Sequence, residues 1–290
     1  SARDGEEIRP GSVSEDVFQD FIHAAREAVD PLDYDIRSAA HQVNSGSRDA
    51  RVWAVINTNS DPSTQLATSH TPDEIAYIKR LLDAMFETYN TRRMEVMAVT
   101  WQQAVKLARP ARRDTQGDGE EDRVPAPTDK GLKHSEVEAL LPSLVHEGWL
   151  EKSPAGFWGL APRALLELFS WLLNSYNDQS GEGDVWQRVK FCEACKEIVT
   201  IGQRCADRDC HIRLHDICMD AYFRSRRERT CPRCKRPWEG KHFVGERAVT
   251  STEAFQRGRR RGSGRRSDLA DAIMQENMDD GDEDEQQDGD

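Results

Sequence analysis

The first 191 residues of this 290-residue chain contain no cysteine, and neither do the last 56; all seven lie between Cys192 and Cys234. That distribution excludes a disulfide framework, which spreads cysteines through a small secreted chain. An odd count would also leave one thiol unpaired. No apolar run approaches the ~18 residues that a membrane helix needs, and no charged-then-apolar leader opens the chain. The expectation is a soluble intracellular protein with no membrane partner. Hydrophobic residues make up 37% and charged residues 32%, the balance of a folded body with polar linkers or tails. The length allows two or three domains.

Charge is unevenly placed. Asp268 to Asp290 carries 11 acidic residues and no basic one, and Arg257 to Arg266 just before it carries six arginines. Setting both stretches aside takes the net charge from −12 to −7. That gives no reason to expect broad electrostatic binding to DNA. Residues 245–290 read as a disordered tail, basic and then acidic. The arginines themselves suit a solvated linker or a nuclear-import patch.

What the cysteines do form is a metal-ligand pattern. The spacing is Cys192-x2-Cys195-x9-Cys205-x4-Cys210-x4-His215-x2-Cys218-x12-Cys231-x2-Cys234. Eight soft ligands satisfy two tetrahedral zinc ions with no open position, so the sites are structural. A sequential division leaves 9 and 12 residues between the paired ligands. The interleaved division gives Cys192, Cys195, His215 and Cys218 one ion, and Cys205, Cys210, Cys231 and Cys234 the other. Its gaps are 19 and 20 residues, matching the usual ~15–20 between paired knuckles. The interleaved form is expected, with folding energy supplied by the two zinc ions. His215 rather than His211 is taken as ligand, because it restores a two-residue knuckle with Cys218.

The intervening residues separate two finger types. A PHD finger usually has an aromatic residue two positions before the seventh ligand, and here that position is Arg229. A RING usually has proline after that ligand, and here Pro232 follows Cys231. Met219 to Phe223 has apolar residues at helical spacing, like a RING's central helix, and Trp238 is placed to cap the core. A RING carries no catalytic side chain. It docks a ubiquitin-conjugating enzyme and orients the thioester, which is catalysis by positioning. The corresponding docking positions are Ala194, Pro232 and Lys235; Ala194 stands where a bulky aliphatic residue is usual and should weaken docking.

The rest reads as mostly α with small β hairpins. Val17 to Val29 has helical spacing and ends at Pro31. A short helix is expected over Asp35–Val43, a turn at Asn44–Ser47, and a strand over Val52–Ile56. Thr71-Pro72-Asp73-Glu74 opens a helix with a capping box, its apolar face running from Ile75 to Tyr89, and Met94–Val99 reads as a strand. Thr100 and Gln103 make a second capping box, before a helix to about Ala108. Pro110 to Lys130 reads as a mobile insertion. Ser135 is expected to cap a helix buried through Val137, Leu140, Leu141, Leu144 and Val145, which Gly148 stops. A hairpin follows over Trp149–Leu160, and one helix opens at Pro162. Helices followed by a hairpin occur twice. The expected architecture is therefore a tandem of winged-helix domains, 13–99 and 100–178, before a cross-braced RING-type finger over 188–244. The helix before the second hairpin carries Glu136, Glu138 and Glu147 and no Arg or Lys. Groove insertion into DNA would meet phosphate repulsion, so a protein-interaction scaffold is expected.

Several stretches resemble one family: Asn57-Thr58-Asn59-Ser60-Asp61 with Gln65 to Thr68, Glu147-Gly148-Trp149-Leu150, Arg163 to Leu168, and the Cys210-His211-Ile212-Arg213-Leu214-His215 knuckle. Over roughly Val13 to Val244 the chain looks like non-structural maintenance of chromosomes element 1, the RING subunit of the Smc five–six complex. The resemblance implies a nuclear, chromosome-associated role in DNA repair. It also implies winged helices that dock a MAGE-domain subunit, itself bound to a kleisin, and a RING ubiquitin ligase that the MAGE partner stimulates. The other readings are a purely structural finger, and a histone or DNA contact through Arg224, Arg226, Arg227 and Arg229.

Overall fold

The computed structural model describes residues 13–43, 51–58, 61–67, 69–110, 129–178, 186–224, 226, 228–261 and 266–279. Among them no helix is long and apolar enough to cross a membrane. The described residues are mostly helical, with two hairpins and one small three-stranded sheet.

Helix α1 (Glu15–Val29) starts at Ser14, whose hydroxyl accepts from Val17 N at 3.4 Å. Glu15 and Asp16 occupy its first turn, where the helix dipole favours negative charge. Strands β1 (Tyr34–Ala40) and β2 (Arg51–Asn57) then pair antiparallel, from Tyr34–Asn57 to Ala40–Arg51. The helix expected over Asp35–Val43 is thus a strand for most of its length. The β-rich Val52–Ile56 segment leaves its backbone groups unsatisfied unless a neighbour pairs with it, and that demand overrides the helical preference of Ala39 and Ala40. The Asn44–Ser47 turn lies outside the described residues.

Helices α2 (Pro62–Leu66) and α3 (Pro72–Asp83) follow. The expected capping box on α3 is present: Glu74 N donates to Thr71 Oγ1 at 3.3 Å, and Thr71 N donates to Glu74 Oε2 at 2.7 Å. The helix buries Tyr77, Ile78, Leu81 and Leu82, then widens into a π turn that buries Met85 and Phe86. Met94–Val99, expected as a strand, makes only the single-residue bridges Asn90–Glu95 and Val99–Trp158. Met97, at φ 44°, is in the left-handed region and interrupts any ladder.

Helix α4 (Trp101–Lys106) carries its capping box from Thr100 and Gln103. The insertion expected over Pro110–Lys130 falls mostly on residues 111–128, outside those described. Helix α5 (His134–His146) is capped by Lys133, not Ser135: Lys133 N donates to Glu136 Oε2 at 2.7 Å. Val137, Leu140, Leu141 and Leu144 are buried as expected, whereas Val145 is exposed. Gly148, at φ +81°, closes the helix, with Trp149 N donating to Leu144 O at 2.9 Å. Strands β3 (Leu150–Lys152) and β4 (Trp158–Leu160) form the expected hairpin. The single helix expected from Pro162 is two, α6 (Pro162–Glu167) and α7 (Phe169–Tyr176), broken at Leu168. Arg163 joins these parts: its guanidinium lies 4.4 Å from the Trp149 ring centroid and donates to Glu147 O at 2.6 Å.

Strands β5 (Gly202–Arg204) and β6 (Arg213–Leu214), helix α8 (Asp216–Arg224) and strand β7 (Phe243–Val244) build the finger, with sheet order β6-β5-β7. Gly202 is required there, because a Cβ would lie 2.3 Å from Leu214 O. One hydrophobic cluster runs from Leu81, Phe86, Leu141 and Leu172 of the body into Val189, Ile198, Leu214 and Val244 of the finger.

The tail expected to be disordered over 245–290 is helical for most of its described length: α9 (Arg247–Thr250), α10 (Glu253–Arg261) and α11 (Arg266–Asp279). Phe255, Ala270, Ile273 and Met274 are buried against Val96, Ala98 and Phe157 of the body. Thr100 Oγ1 also bonds to Asp271 Oδ1 at 2.5 Å. The tail's average composition is polar, yet Leu269, Ala270, Ile273 and Met274 fall on one helical face.

Candidate metal centre

Two knuckles of the same construction carry four of the ligand candidates. In the first, Lys196 N donates to Cys192 O at 2.9 Å and Cys192 N donates to Glu197 O at 2.8 Å. In the second, Lys235 N donates to Cys231 O at 3.0 Å and Cys231 N donates to Arg236 O at 2.9 Å. Each tight turn ends on a lysine in the left-handed region, Lys196 at φ 63° and Lys235 at φ 60°. The other ligand candidates sit beside the small sheet: Cys205 follows β5, Cys210 precedes β6, and His215 and Cys218 flank the start of α8.

The side chains gather as the interleaved division expects. Cys192, Cys195, His215 and Cys218 form one group, and Cys205, Cys210, Cys231 and Cys234 the other, with the donor atoms of each group within 4.8 Å of one another. Cys205 Sγ lies 3.3 Å from Cys234 Sγ, and Cys210 Sγ lies 3.6 Å from Cys231 Sγ. Sulfurs at the corners of a tetrahedron around zinc, each bonded at about 2.3 Å, stand roughly 3.8 Å apart. His215 Nδ1 is 3.3 Å from Cys195 Sγ and 3.9 Å from Cys218 Sγ. Its Nε2 donates to Ile198 O at 3.0 Å, which turns the Nδ1 lone pair toward the thiols. His211 is half-buried and belongs to neither group. Both donor sets fit a four-coordinate zinc ion with no position left for water or substrate.

Around the clusters, Ala194 and Lys235 are exposed and Pro232 is half-buried. Lys235 Nζ folds back to donate to Pro232 O at 2.8 Å. Trp238 is buried as expected, its indole donating to Gln203 Oε1 at 3.0 Å. Of the basic stretch, Arg226 lies 3.6 Å from the Tyr222 ring centroid, Arg229 lies 5.4 Å from that of Phe223, and Arg224 is exposed. Arg227 is outside the described residues.

Sequence reasoning missed the polar contacts that hold the finger to the body. Glu95, 1% exposed, accepts from Arg213 Nε at 2.8 Å and also from Arg213 Nη2. Lys190 Nζ lies 3.4 Å and Arg204 Nη1 4.0 Å from the same carboxylate. Burial resists ionisation of Glu95, but the Arg213 guanidinium overrides it and holds the carboxyl down at about 2. Burial works on Lys190 in the same way, and against the pull of Glu95 it lowers the ammonium to about 7. Arg213 Nη1 also donates to Cys210 O at 2.6 Å, tying this ion cluster to a ligand loop. At a second point Gln42 donates to Ile198 O at 2.9 Å and accepts from Thr200 N at 2.9 Å and Ile201 N at 2.8 Å. The one available signal was Arg213 itself, a charge alternating with the apolar Ile212 and Leu214.

Fold and clusters together define a helical protein with a RING-like finger carrying two sets of potential zinc ligands. A family model described as "Nse1 non-SMC component of SMC5-6 complex" matches residues 1–168, and one described as a RING-like domain matches residues 192–234. The chain belongs to the Nse1 family. Among its relatives is "Non-structural maintenance of chromosomes element 1 homolog" of Xenopus laevis, 34% identical over 109 residues, which are 38% of this chain and 36% of that protein. The human protein of that name is 32% identical over the same shares. The mouse protein is 22% identical over 232 residues, 80% of this chain and 73% of its own. The matches to the frog and human proteins thus span about a third of those relatives' length. A chain from a solved structure titled "Nse1-Nse3-Nse4 complex" shares the fold at TM-score 0.55 and 22% identity, over 78% of this chain and 81% of that one.

Proposed function

We propose that this chain is a subunit of an SMC5-6-type chromosome-maintenance complex and acts there, in the nucleus and in DNA repair, as a RING-type ubiquitin ligase stimulated by its partner. In this reading its helix-and-hairpin units, 13–99 and 100–178, are winged helices that dock a MAGE-domain subunit, itself bound to a kleisin. Family membership and the likeness to a chain from an Nse1-Nse3-Nse4 complex support the assembly. The observation that carries the ligase role is the RING-like finger, with two closed donor sets and an exposed rim bearing Ala194 and Lys235. Closed donor sets leave the zinc no substrate position, so transfer of ubiquitin rests on docking and orienting a conjugating enzyme.

A second reading, a finger that stabilises the assembly without ligase activity, is favoured by one residue identity and one contact. Ala194 offers a conjugating enzyme little apolar surface, and Lys235 is turned onto Pro232 O. Reconstitution with a MAGE partner, a panel of conjugating enzymes and ubiquitin separates the two. The first reading expects ubiquitin chains that increase with the MAGE partner and fall in a Pro232→Ala, Lys235→Glu variant. Chains no more abundant than in the no-ligase control with every enzyme, while the variant still assembles, leave only the second.

A further inference from the structure

A groove of about 510 Å³ lies where the β3–β4 hairpin, the finger and the turn after β7 meet. Its volume falls in the range of ligand-sized clefts, about 300–1,000 Å³. Val96, Ala98, Phe157, Leu160 and Ile201 supply apolar walls.

Three carboxylates line this cleft, Glu151 from β3, Glu246 from the turn after β7 and Asp216 at the start of α8; Asp216 is paired with Arg247, which leaves Glu151 and Glu246. Burial raises the Glu151 carboxyl above the ordinary range; His41 pulls the other way, and the charge of Glu246 adds a smaller upward push. Glu246 Oε2 is shielded from water and has no hydrogen-bond partner among the described residues. The two cations that line the groove, Arg247 and Lys152, already have partners. Arg247 Nη1 lies 2.6 Å from Asp216 Oδ2 with its guanidinium 3.9 Å from the Phe243 ring centroid, and Lys152 Nζ lies 4.8 Å from that of Trp158. Two like charges in an apolar cleft oppose folding unless a cation joins them, and a carboxyl raised by burial, like that of Glu151, beside an unpartnered buried oxygen, that of Glu246, marks a cleft that binds something.

We propose that this groove docks a segment of a partner polypeptide in which an arginine or lysine stands beside aliphatic side chains. The cation ends between Glu151 and Glu246, and the aliphatic groups cover the apolar walls. A purely apolar segment leaves both carboxylates desolvated and unpaired, and an acidic segment or a phosphate adds repulsion. The inference stands on the groove alone and does not depend on ubiquitin transfer.

The test titrates the zinc-loaded full chain with a fluorescent seven-residue peptide of alternating leucine and arginine, and with counterparts carrying glutamine or glutamate in place of arginine. The arginine peptide is expected to bind at least about tenfold more tightly than the glutamine one, and the glutamate one not at all. A Glu151→Gln, Glu246→Gln variant should lose at least about tenfold for the arginine peptide alone, with a melting temperature at or above that of the parent. Gly159 lines the groove, and among the described residues the nearest atom to a Cβ there is Ala98 Cβ at 4.0 Å, so Gly159→Leu should fill it and abolish binding of both neutral and basic peptides. Equal binding of the arginine and glutamine peptides, or no binding of the arginine peptide, overturns the proposal. Unchanged binding to the double variant does so too, because it shows the peptide held by the acidic surface at large.

Discussion

Replacing Glu95 should detach the finger from the body more effectively than any other single change. The carboxylate is 1% exposed and is paired with Arg213, 0% exposed, and with the buried Lys190 and Arg204. Glu95→Ala leaves three buried cations without it. Removing one partner of a buried ion pair costs about 3–5 kcal/mol, because the remaining charge stays desolvated and unpaired. The depressed pKa agrees: a carboxyl held at about 2 in the fold, against an ordinary 4.5, corresponds to about 3 kcal/mol. The sign follows from that direction. Folding makes the group more acidic, so its stabilisation is complete above about pH 4.5 and is lost as pH falls from there toward 2. Thermal unfolding at pH 7 in zinc-containing buffer should show a drop of roughly 6–20 °C for Glu95→Ala. The Glu95 carboxylate stays ionised between pH 8 and pH 5, but Lys190, held at about 7 with help from Glu95, gains its proton in that range, so the gap to wild type should widen as pH falls from 8 to 5. Glu95→Gln should cost less, because it keeps a hydrogen-bond acceptor. Adding Arg213→Met to Glu95→Ala should cost less than the two single changes summed, since the most buried cation is removed along with its anion. A Glu95→Ala melting temperature within about 1 °C of wild type, or strict additivity in the cycle, would refute this description of the interface.

The C-terminal helix and the knuckle turns give two further tests. Ile273 is 6% exposed in the cluster under α11, so Ile273→Ala should lower stability by about 2–4 kcal/mol in denaturant titration; a change within 0.5 kcal/mol (about the noise for a surface site) would mean that α11 does not pack there. Lys235, at φ 60° and exposed, occupies backbone space that glycine adopts freely. Lys235→Gly should therefore leave stability equal or raise it by up to about 1 kcal/mol, while Lys235→Val should lower it by about 1–2 kcal/mol. The reverse order in a melting experiment would contradict the left-handed turn.

Local chemistry was legible in the sequence, and distant pairing was not. The ligand grouping followed from spacing alone, because two-residue knuckles and gaps of 19 and 20 residues admit one sensible cross-brace. The capping boxes at Thr71 and Thr100 and the stop at Gly148 are likewise short-range devices, and each stands where it was expected. Asp35–Val43 is misread because its partner strand starts only at Arg51 and the preference of two alanines outweighs a lone β-rich run with nothing to pair with. The tail was misread because averaging over 11 acidic residues hides four apolar ones at helical spacing. Glu95 could not be read at all: its partner Arg213 is 118 positions away, and nothing near Met94–Val99 marks a buried charge. Of the three positions expected to dock a conjugating enzyme, Ala194 and Lys235 lie at the surface and Pro232 is half-buried with its carbonyl bonded to Lys235, a detail that no spacing rule carries.

Metal content decides whether the eight side chains act as two closed clusters. Elemental analysis of the purified full chain should find two zinc ions per molecule. His215→Ala and Cys231→Ser should each lower that number, whereas His211→Ala should keep it at two. One zinc or none in the wild-type chain, or loss of metal on replacing His211 but not His215, would contradict the cross-braced arrangement.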